Sequence, residues 1–168
     1  MKKHYDLIVC GGGFGGVVAA VTARQQGQDV LLLEQYGFLG GSVTNGFDLL
    51  VQCDVGVLTA PAEKDLAAKV LQEMPSANRP SNTICLDPEV VKFSLIETAL
   101  STGVEVGLHT RVHTVSENNT SAIAHTKCVE GDVQVSAASI VDATGGAITP
   151  HTGSSAFCAW IIASIDAG

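Results

Sequence analysis

The run Cys10-Gly11-Gly12-Gly13-Phe14-Gly15-Gly16 constrains this chain most, because it stands where an apolar strand must turn directly into a helix. Tyr5–Cys10 ahead of it is a short apolar segment that halts at glycine, the pattern of a buried parallel strand. Val17–Gln26 behind it carries helix-compatible residues and stops at Gly27. Asp29–Glu34 then contains Val30-Leu31-Leu32-Leu33, a second buried strand. Strand, glycine turn, helix and strand within about 30 residues make a βαβ unit, whose crossover is almost always right-handed.

Gly11, Gly13 and Gly16 form the pattern G-x-G-x-x-G, in which each glycine has a physical task. Gly11 permits the tight turn off the strand. Gly13 lacks a Cβ, so a pyrophosphate can approach the backbone. Gly16 lets the helix pack closely on the sheet. Phe14 and Gly15 lie between them at the helix start, where free N–H groups and the positive end of the helix dipole favour phosphate. Such a glycine turn taken alone is as readily a structural one. Its context adds Glu34, twenty-one residues past Gly13 at the end of the next strand. A carboxylate there accepts hydrogen bonds from both ribose hydroxyls and disfavours a 2′-phosphate. A dinucleotide is the expected ligand, and the fingerprint by itself does not separate NAD from FAD.

Residues 35–58, with Gly37, Gly40, Gly41, Gly46 and Gly56, show no sustained period and are expected as a loop-rich excursion. A helix follows from Thr59 or Ala60, with Pro61 in its first turn and Leu66, Val70, Leu71 and Met74 on one apolar stripe. Pro75–Asn82 reads as a connector. Asp87-Pro88-Glu89 is a helix start with a capping acid, proline at the first helical position and a second acid at the positive dipole end. That helix is expected to reach about Ser101 and stop at Gly103, with Val104–His109 returning as a third parallel strand. Arg111–Ser116, Thr120–Val129 and Val133–Ser136 then read as an antiparallel meander, joined by turns at Glu117-Asn118-Asn119 and Glu130-Gly131-Asp132. Ile140-Val141-Asp142-Ala143-Thr144-Gly145-Gly146 reads as a further buried strand running into a glycine turn.

Composition narrows the function classes. The chain is 168 residues, enough for one ordinary domain, and its 46% hydrophobic and 15% charged shares suit a packed core. Nine Lys and Arg without a basic run, in a chain of net charge −8, argue against nucleic acid or an anionic membrane surface as partner. No apolar run approaches the roughly 20 residues of a membrane span. Met1-Lys2-Lys3 and the apolar stretch after it do not make a signal peptide, because Asp6 and the glycines interrupt it, so a cytoplasmic location is expected. The five cysteines are odd in number and scattered without C-x-x-C, which suits neither a disulfide framework nor a zinc site.

The residues after Glu34 bear on which dinucleotide is bound. Glu34-Gln35-Tyr36-Gly37-Phe38-Leu39-Gly40-Gly41-Ser42-Val43-Thr44 resembles the stretch that follows the ribose-binding acid in FAD-dependent oxidoreductases of the glutathione-reductase-like class. That class comprises flavoproteins with two dinucleotide-binding domains. Asp87-Pro88-Glu89 with its helix, Gly103-Val104-Glu105-Val106, His109-Thr110-Arg111-Val112 and Val141-Asp142-Ala143-Thr144-Gly145 resemble later parts of the same family. Its usual aspartate is replaced by Gly146. The resemblance implies an α/β, Rossmann-like FAD-binding domain with a parallel sheet, flanking helices and an antiparallel β-meander, over residues 1–155. It implies FAD as cofactor, with Gly40 and Gly41 beside its diphosphate and ribityl chain, and Val112 touching adenine through its backbone. Ala143, Thr144 and Gly145 would form a second FAD-contacting turn, and Gln35, Ser42, Thr44 and Arg111 complete the expected cofactor-binding set. Residues 156–168 resemble the start of a substrate-domain strand, or a segment that contacts a partner. Because family members continue far beyond that point, a second polypeptide is expected to supply the rest of the flavoprotein and the pocket for a small-molecule substrate. The alternatives are a noncatalytic dinucleotide-binding scaffold subunit of a redox complex and an NAD-dependent enzyme.

No catalytic residue is expected with any force. Cys53 reads better as a packed thiol than as a redox centre, since Ser42, Val43 and Thr44 stand where disulfide reductases of the class carry cysteines. His109, Arg111 and His113 share one strand face at period two, with His125 as a third ligand only by composition, so a polar strand face is expected rather than a metal site. Asp142 is expected to satisfy backbone groups at a strand end.

Overall fold

A computed structural model describes residues 4–52, 61–72, 83–117, 121–146 and 148. The expected helix start at 59–60, Met74, Cys53, the 75–82 connector, the Asn118-Asn119 turn and the 156–168 segment lie outside the described residues.

The chain runs β1 (His4–Cys10), α1 (Phe14–Gln25), β2 (Val30–Leu33), α2 (Ser42–Asn45), β3 (Leu50–Gln52), α3 (Pro61–Gln72), β4 (Thr83–Cys85), α4 (Pro88–Thr102), β5 (Glu105–Gly107), β6 (Arg111–Glu117), β7 (Ala122–Cys128) and β8 (Gly131–Asp142). A six-stranded sheet has the order β5-β2-β1-β8-β7-β6. β5, β2, β1 and β8 are mutually parallel, while β8, β7 and β6 form the antiparallel meander. The fold is therefore α/β, with the parallel sheet and meander expected.

The two central strands are apolar on both faces over Leu7–Cys10 and Val30–Leu33, because both faces are covered there. On one side Val9 and Leu32 join Val17 and Val21 of α1 and Val91, Leu95 and Ala99 of α4. On the other, Ile8, Cys10, Leu31 and Leu33 meet Val112, Ala124, Val135 and Ala137 from the meander. β2, buried at all four positions, is the middle of this sandwich. α4 starts as its sequence signals: the Asp87 carboxylate accepts from Glu89 N at 2.9 Å and Val90 N at 3.4 Å. It ends at Gly103, whose φ of 88° is the left-handed conformation that lets the chain leave the helix.

Three local expectations change. α1 begins at Phe14 rather than Val17, because Gly13 is extended at φ −68°, ψ 176° and Gly15 and Gly16 are already helical. The two expected segments Val133–Ser136 and Ile140–Asp142 are one strand, β8. Its first part pairs with β7 and its second with β1, and Ala137 is opposite both Ala122 and Tyr5. Finally, the loop-rich excursion contains α2 and β3, and β3 pairs antiparallel with β4, Leu50 opposite Cys85. Among the described residues no helix is long and apolar enough to cross a membrane.

Candidate functional site

β1 is the strand at which the chain's direction across the sheet reverses: β2 and β5 lie to one side, β8 to the other. Crevices at the carboxyl ends of parallel strands flanking such a point are where open α/β sheets bind ligands. The ends of β1, β2 and β8 here carry Gly11, Glu34 and Ala143.

The glycines are set by contact. Gly11 has φ +108°, and a Cβ on it would lie 2.5 Å from the Ala143 carbonyl oxygen. A Cβ on Gly16 would run into the Gly11 carbonyl oxygen, so α1 can sit this close to β1 only with glycine there. Gly13 is different: only the Gly41 Cα, at 3.9 Å, comes near its Cβ position, and the residue faces open space. Gly12, which the fingerprint leaves as any residue, is equally constrained, because its Cβ would meet the Leu39 side chain and lie 3.0 Å from Glu34 Oε2.

Glu34 is only 6% exposed, and its two oxygens are held by backbone donors. Gly12 N–H donates to Oε2 at 2.7 Å and Tyr36 N–H to Oε1 at 2.8 Å. The carboxylate is thus fixed before any ligand arrives, with lone pairs left over for ribose hydroxyls. The following loop is held from two sides. Tyr36 stacks on Phe38 with ring centroids 6.1 Å apart, and Lys92 Nζ of α4 lies 4.4 Å from the Phe38 centroid. Thr110 N–H donates to Glu34 O at 2.8 Å, which brings Arg111 and Val112 of β6 beside the acid.

The second glycine segment stacks on the first. Gly40 N–H donates to Gly12 O at 2.8 Å, and a Cβ on Gly41 would lie 3.1 Å from Gly13 Cα. Thr44 fixes this segment from below. It is buried, and its hydroxyl reaches Leu39 O at 3.0 Å and Gly41 O at 3.4 Å. Across the groove, Asp142 organises the turn after β8. One carboxylate oxygen accepts from Thr144 N at 3.0 Å and Thr144 Oγ1 at 2.7 Å, the other from Ile148 N at 2.8 Å. Burial first, and the Asp142 carboxylate second, push the neighbouring Cys10 thiol from the ordinary 9.0 up to about 12, so it remains a protonated core residue.

These segments enclose an open groove of about 840 Å³, within the usual range for cofactor sites. Every expected cofactor residue lines it except Thr44, whose hydroxyl is turned to the backbone beneath. Leu33, Tyr36, Asn45, Thr110 and Ile148 line it as well and had not been singled out. A sequence signal existed for Asn45, which lies one helical turn past Gly41. A shallower depression of about 730 Å³ runs along α1 and β8, and Asp6 is its only acidic or basic lining residue.

The expected strand face shared by His109, Arg111 and His113 does not form as one row. His109 sits in a turn with φ 51°, outside β5 and β6, and β6 is bulged between Val112 and Thr114, which displaces His113. His113 and His125 have ring centroids 6.4 Å apart, and His125 Nε2 is paired with Ser116 Oγ at 2.7 Å. Among the described residues no group of three His, Cys, Asp or Glu is placed to hold a metal ion.

Chemically, the groove offers backbone donors at a helix start that carries neither a side-chain cap nor a first-turn acid. The first-turn N–H groups of a helix have no intrahelical acceptor and suit a phosphate. Both lining carboxylates are already engaged by N–H groups. The arrangement is built to bind and orient an anionic, hydroxyl-bearing ligand.

The chain matches the model of a family described as FAD dependent oxidoreductase over residues 6–156. Digeranylgeranylglycerophospholipid reductase 2 of Methanococcoides burtonii is 49% identical over 43 residues, which are 26% of this chain and 11% of that protein. Among solved structures, the OxyS anhydrotetracycline hydroxylase from Streptomyces rimosus superposes with a TM-score of 0.62 at 19% identity, over 85% of this chain and 32% of that one. A geranylgeranyl bacteriochlorophyll reductase-like protein from Thermoplasma acidophilum gives 0.61 at 20%, over 85% and 40%. The chain thus spans well under half the length of the proteins it matches, and the structural likenesses speak for the fold.

Proposed function

The chain belongs to the FAD dependent oxidoreductase family, and from that premise we propose that it is the FAD-binding part of a flavin-dependent oxidoreductase of the glutathione-reductase-like class. The observation that carries the reading is the convergence of five separate segments on one groove: 11–16, 33–36, 40–45, 110–112 and 142–146. The donor set fits the cofactor. Glu34, held by Gly12 and Tyr36, receives the adenosine ribose, and Arg111 and Val112 flank the adenine. The N–H groups opening α1 receive the pyrophosphate, which Gly13 admits to the backbone. Gly41 and Ser42 follow the ribityl chain, and the 143–145 turn closes the opposite wall.

Bound FAD supplies the electron transfer, while the protein contributes orientation and electrostatics. This chain's residues grip the cofactor and shield its diphosphate. A second polypeptide carrying the remainder of the flavoprotein completes the site and holds the small-molecule substrate.

The test is to purify the full chain with whatever copurifies, and record its visible spectrum and protein composition. Flavin absorbance together with a stoichiometric second polypeptide is expected. Colourless protein that retains NAD would sink the cofactor assignment, and a fully flavinated, soluble monomer would sink the partner.

A further inference from the structure

β8 is an interior strand that is exposed like an edge. It stands fourth in the order β5-β2-β1-β8-β7-β6, yet Ala138 and Ser139 are exposed. The register explains this. β7 pairs with Gly131–Ala137 and stops there, whereas β1 pairs with β8 on to Asp142. Ala143 N–H donates to Cys10 O at 2.8 Å. By strand alternation Ser139 and Val141 also turn their backbone groups to β1, and Ile140 and Asp142 turn theirs to the side that β7 has left. Among the described residues no strand pairs with β8 there. An unpaired edge of this kind is a template for another strand.

The face above this edge is bare as well. α1 and α4 cover β1 and β2, but over the second half of β8 lies the depression of about 730 Å³, lined by Gly15, Val18, Ala19 and Thr22 of α1 and by Ser139. It follows α1 from Gly15 to Gln26, a length of about 17 Å or three helical turns. The small side chains let a second helix approach closely. The Thr22 hydroxyl is shut off from solvent and has no hydrogen-bond partner among the described residues, a cost that a polar group entering from this side removes.

A strand for the edge and a helix for the face make one βα unit. Residues 149–168 are too few to supply it, since the crossover to a parallel strand alone takes about a dozen residues or more. A second copy of the chain has no spare unit to offer, because its α1 and α4 are packed in its own core. Resting on the FAD reading above, which assigns the rest of the flavoprotein to a second polypeptide, we propose how that polypeptide docks. It adds a strand parallel to β8 along Ile140–Asp142 and lays the following helix in the depression beside α1. The carboxyl end of that strand then comes beside the 143–146 turn, which lines the groove. Docking and completion of the cofactor site are one event.

The test measures residue-resolved amide exchange in the full chain with its copurifying polypeptide, and after the two are separated. Ile140 and Asp142 N–H groups should exchange at least about tenfold faster on separation, while Val141, bonded to β1, stays protected. Ile140→Pro removes the N–H that faces the open edge, a substitution that edge strands accept, and Ser139→Arg fills the depression. Each should weaken retention of the second polypeptide about tenfold or more. Ile140→Ala loses the same packing against the meander-side core but keeps the N–H, and should retain it. Full retention in both Ile140→Pro and Ser139→Arg overturns the inference, as does equal loss in Ile140→Ala and Ile140→Pro. Slow exchange at Ile140 in a chain without the second polypeptide, as monomer or homodimer, overturns it too, because residues 149–168 or a second copy would then fill the edge. Bound flavin with Ile140 and Asp142 exchanging fast overturns the docking and leaves the FAD assignment standing. A protected edge in a complex that binds NAD and not FAD supports the docking and overturns that assignment.

Discussion

The groove lies between two glycine turns that differ in why they contain glycine. In the first, 11–16, side chains are excluded by contact: a Cβ on Gly11, Gly12 or Gly16 would collide with Ala143, Leu39 or Gly11 itself. In the second, 143–146, a Cβ on Gly145 or Gly146 would meet nothing within 4 Å, and the turn is shaped by the Asp142 carboxylate instead. One wall is determined by steric exclusion, the other by hydrogen bonds to a single side chain. The first admits almost no side chain at Gly11, Gly12 or Gly16, whereas the second has room for one at its glycines and depends on its acid.

The largest effect is expected for Gly16→Ala. The new methyl meets backbone that cannot yield without moving α1 off β1, so a loss of about 3 kcal/mol or more is expected, visible in denaturant unfolding. Asp142→Ala comes next. Removing the carboxylate strips Thr144 and Ile148 N–H groups of their acceptor, and a loss of roughly 1–3 kcal/mol is expected, with Asn recovering part of it. Gly145→Ala should cost about 1 kcal/mol, because its φ of 73° strains any side chain while its surroundings offer room. Gly146→Ala should fall within about 0.5 kcal/mol of wild type. If Gly146→Ala proved as damaging as Gly16→Ala, the contrast between the walls would collapse.

The smallest effect at neutral pH is expected from Cys10, which lies below both turns. Its thiol is protonated in the folded and unfolded chain alike near pH 7, and native protein should resist alkylation there. As pH rises past the ordinary 9.0, the unfolded chain loses this proton while the folded chain keeps it until about 12. The folded state then binds more protons, so the thiol's contribution, complete below 9.0, is lost progressively between those values. Stability that rose with pH across that window in wild type but not in Cys10→Ala would contradict this placement.

The same contrast explains what could be read from sequence. The β1–α1–β2 unit was legible because its apolar strands are local and its glycines answer to close contacts that no other residue permits. Glu34 was legible by spacing, although its bonds to Gly12 and Tyr36 N–H groups were not. Thr44 enters the expected cofactor set through the family resemblance alone, and spacing gives no sign that its hydroxyl is seated on the Leu39 and Gly41 carbonyls. β8 was divided in two because Ala137-Ala138-Ser139 lacks β-branched residues, and only pairing with β1 and β7 makes it continuous. The β3–β4 pair joins segments about thirty residues apart and leaves no local signature.

The central claim is that these two walls hold FAD. Calorimetric titration of the nucleotide-free full chain, with any copurifying polypeptide, against FAD and separately against NAD tests it most directly. The account predicts one FAD site per chain and at least about tenfold weaker NAD binding, a gap of about 1.4 kcal/mol. Saturable NAD binding with no heat from FAD would contradict it.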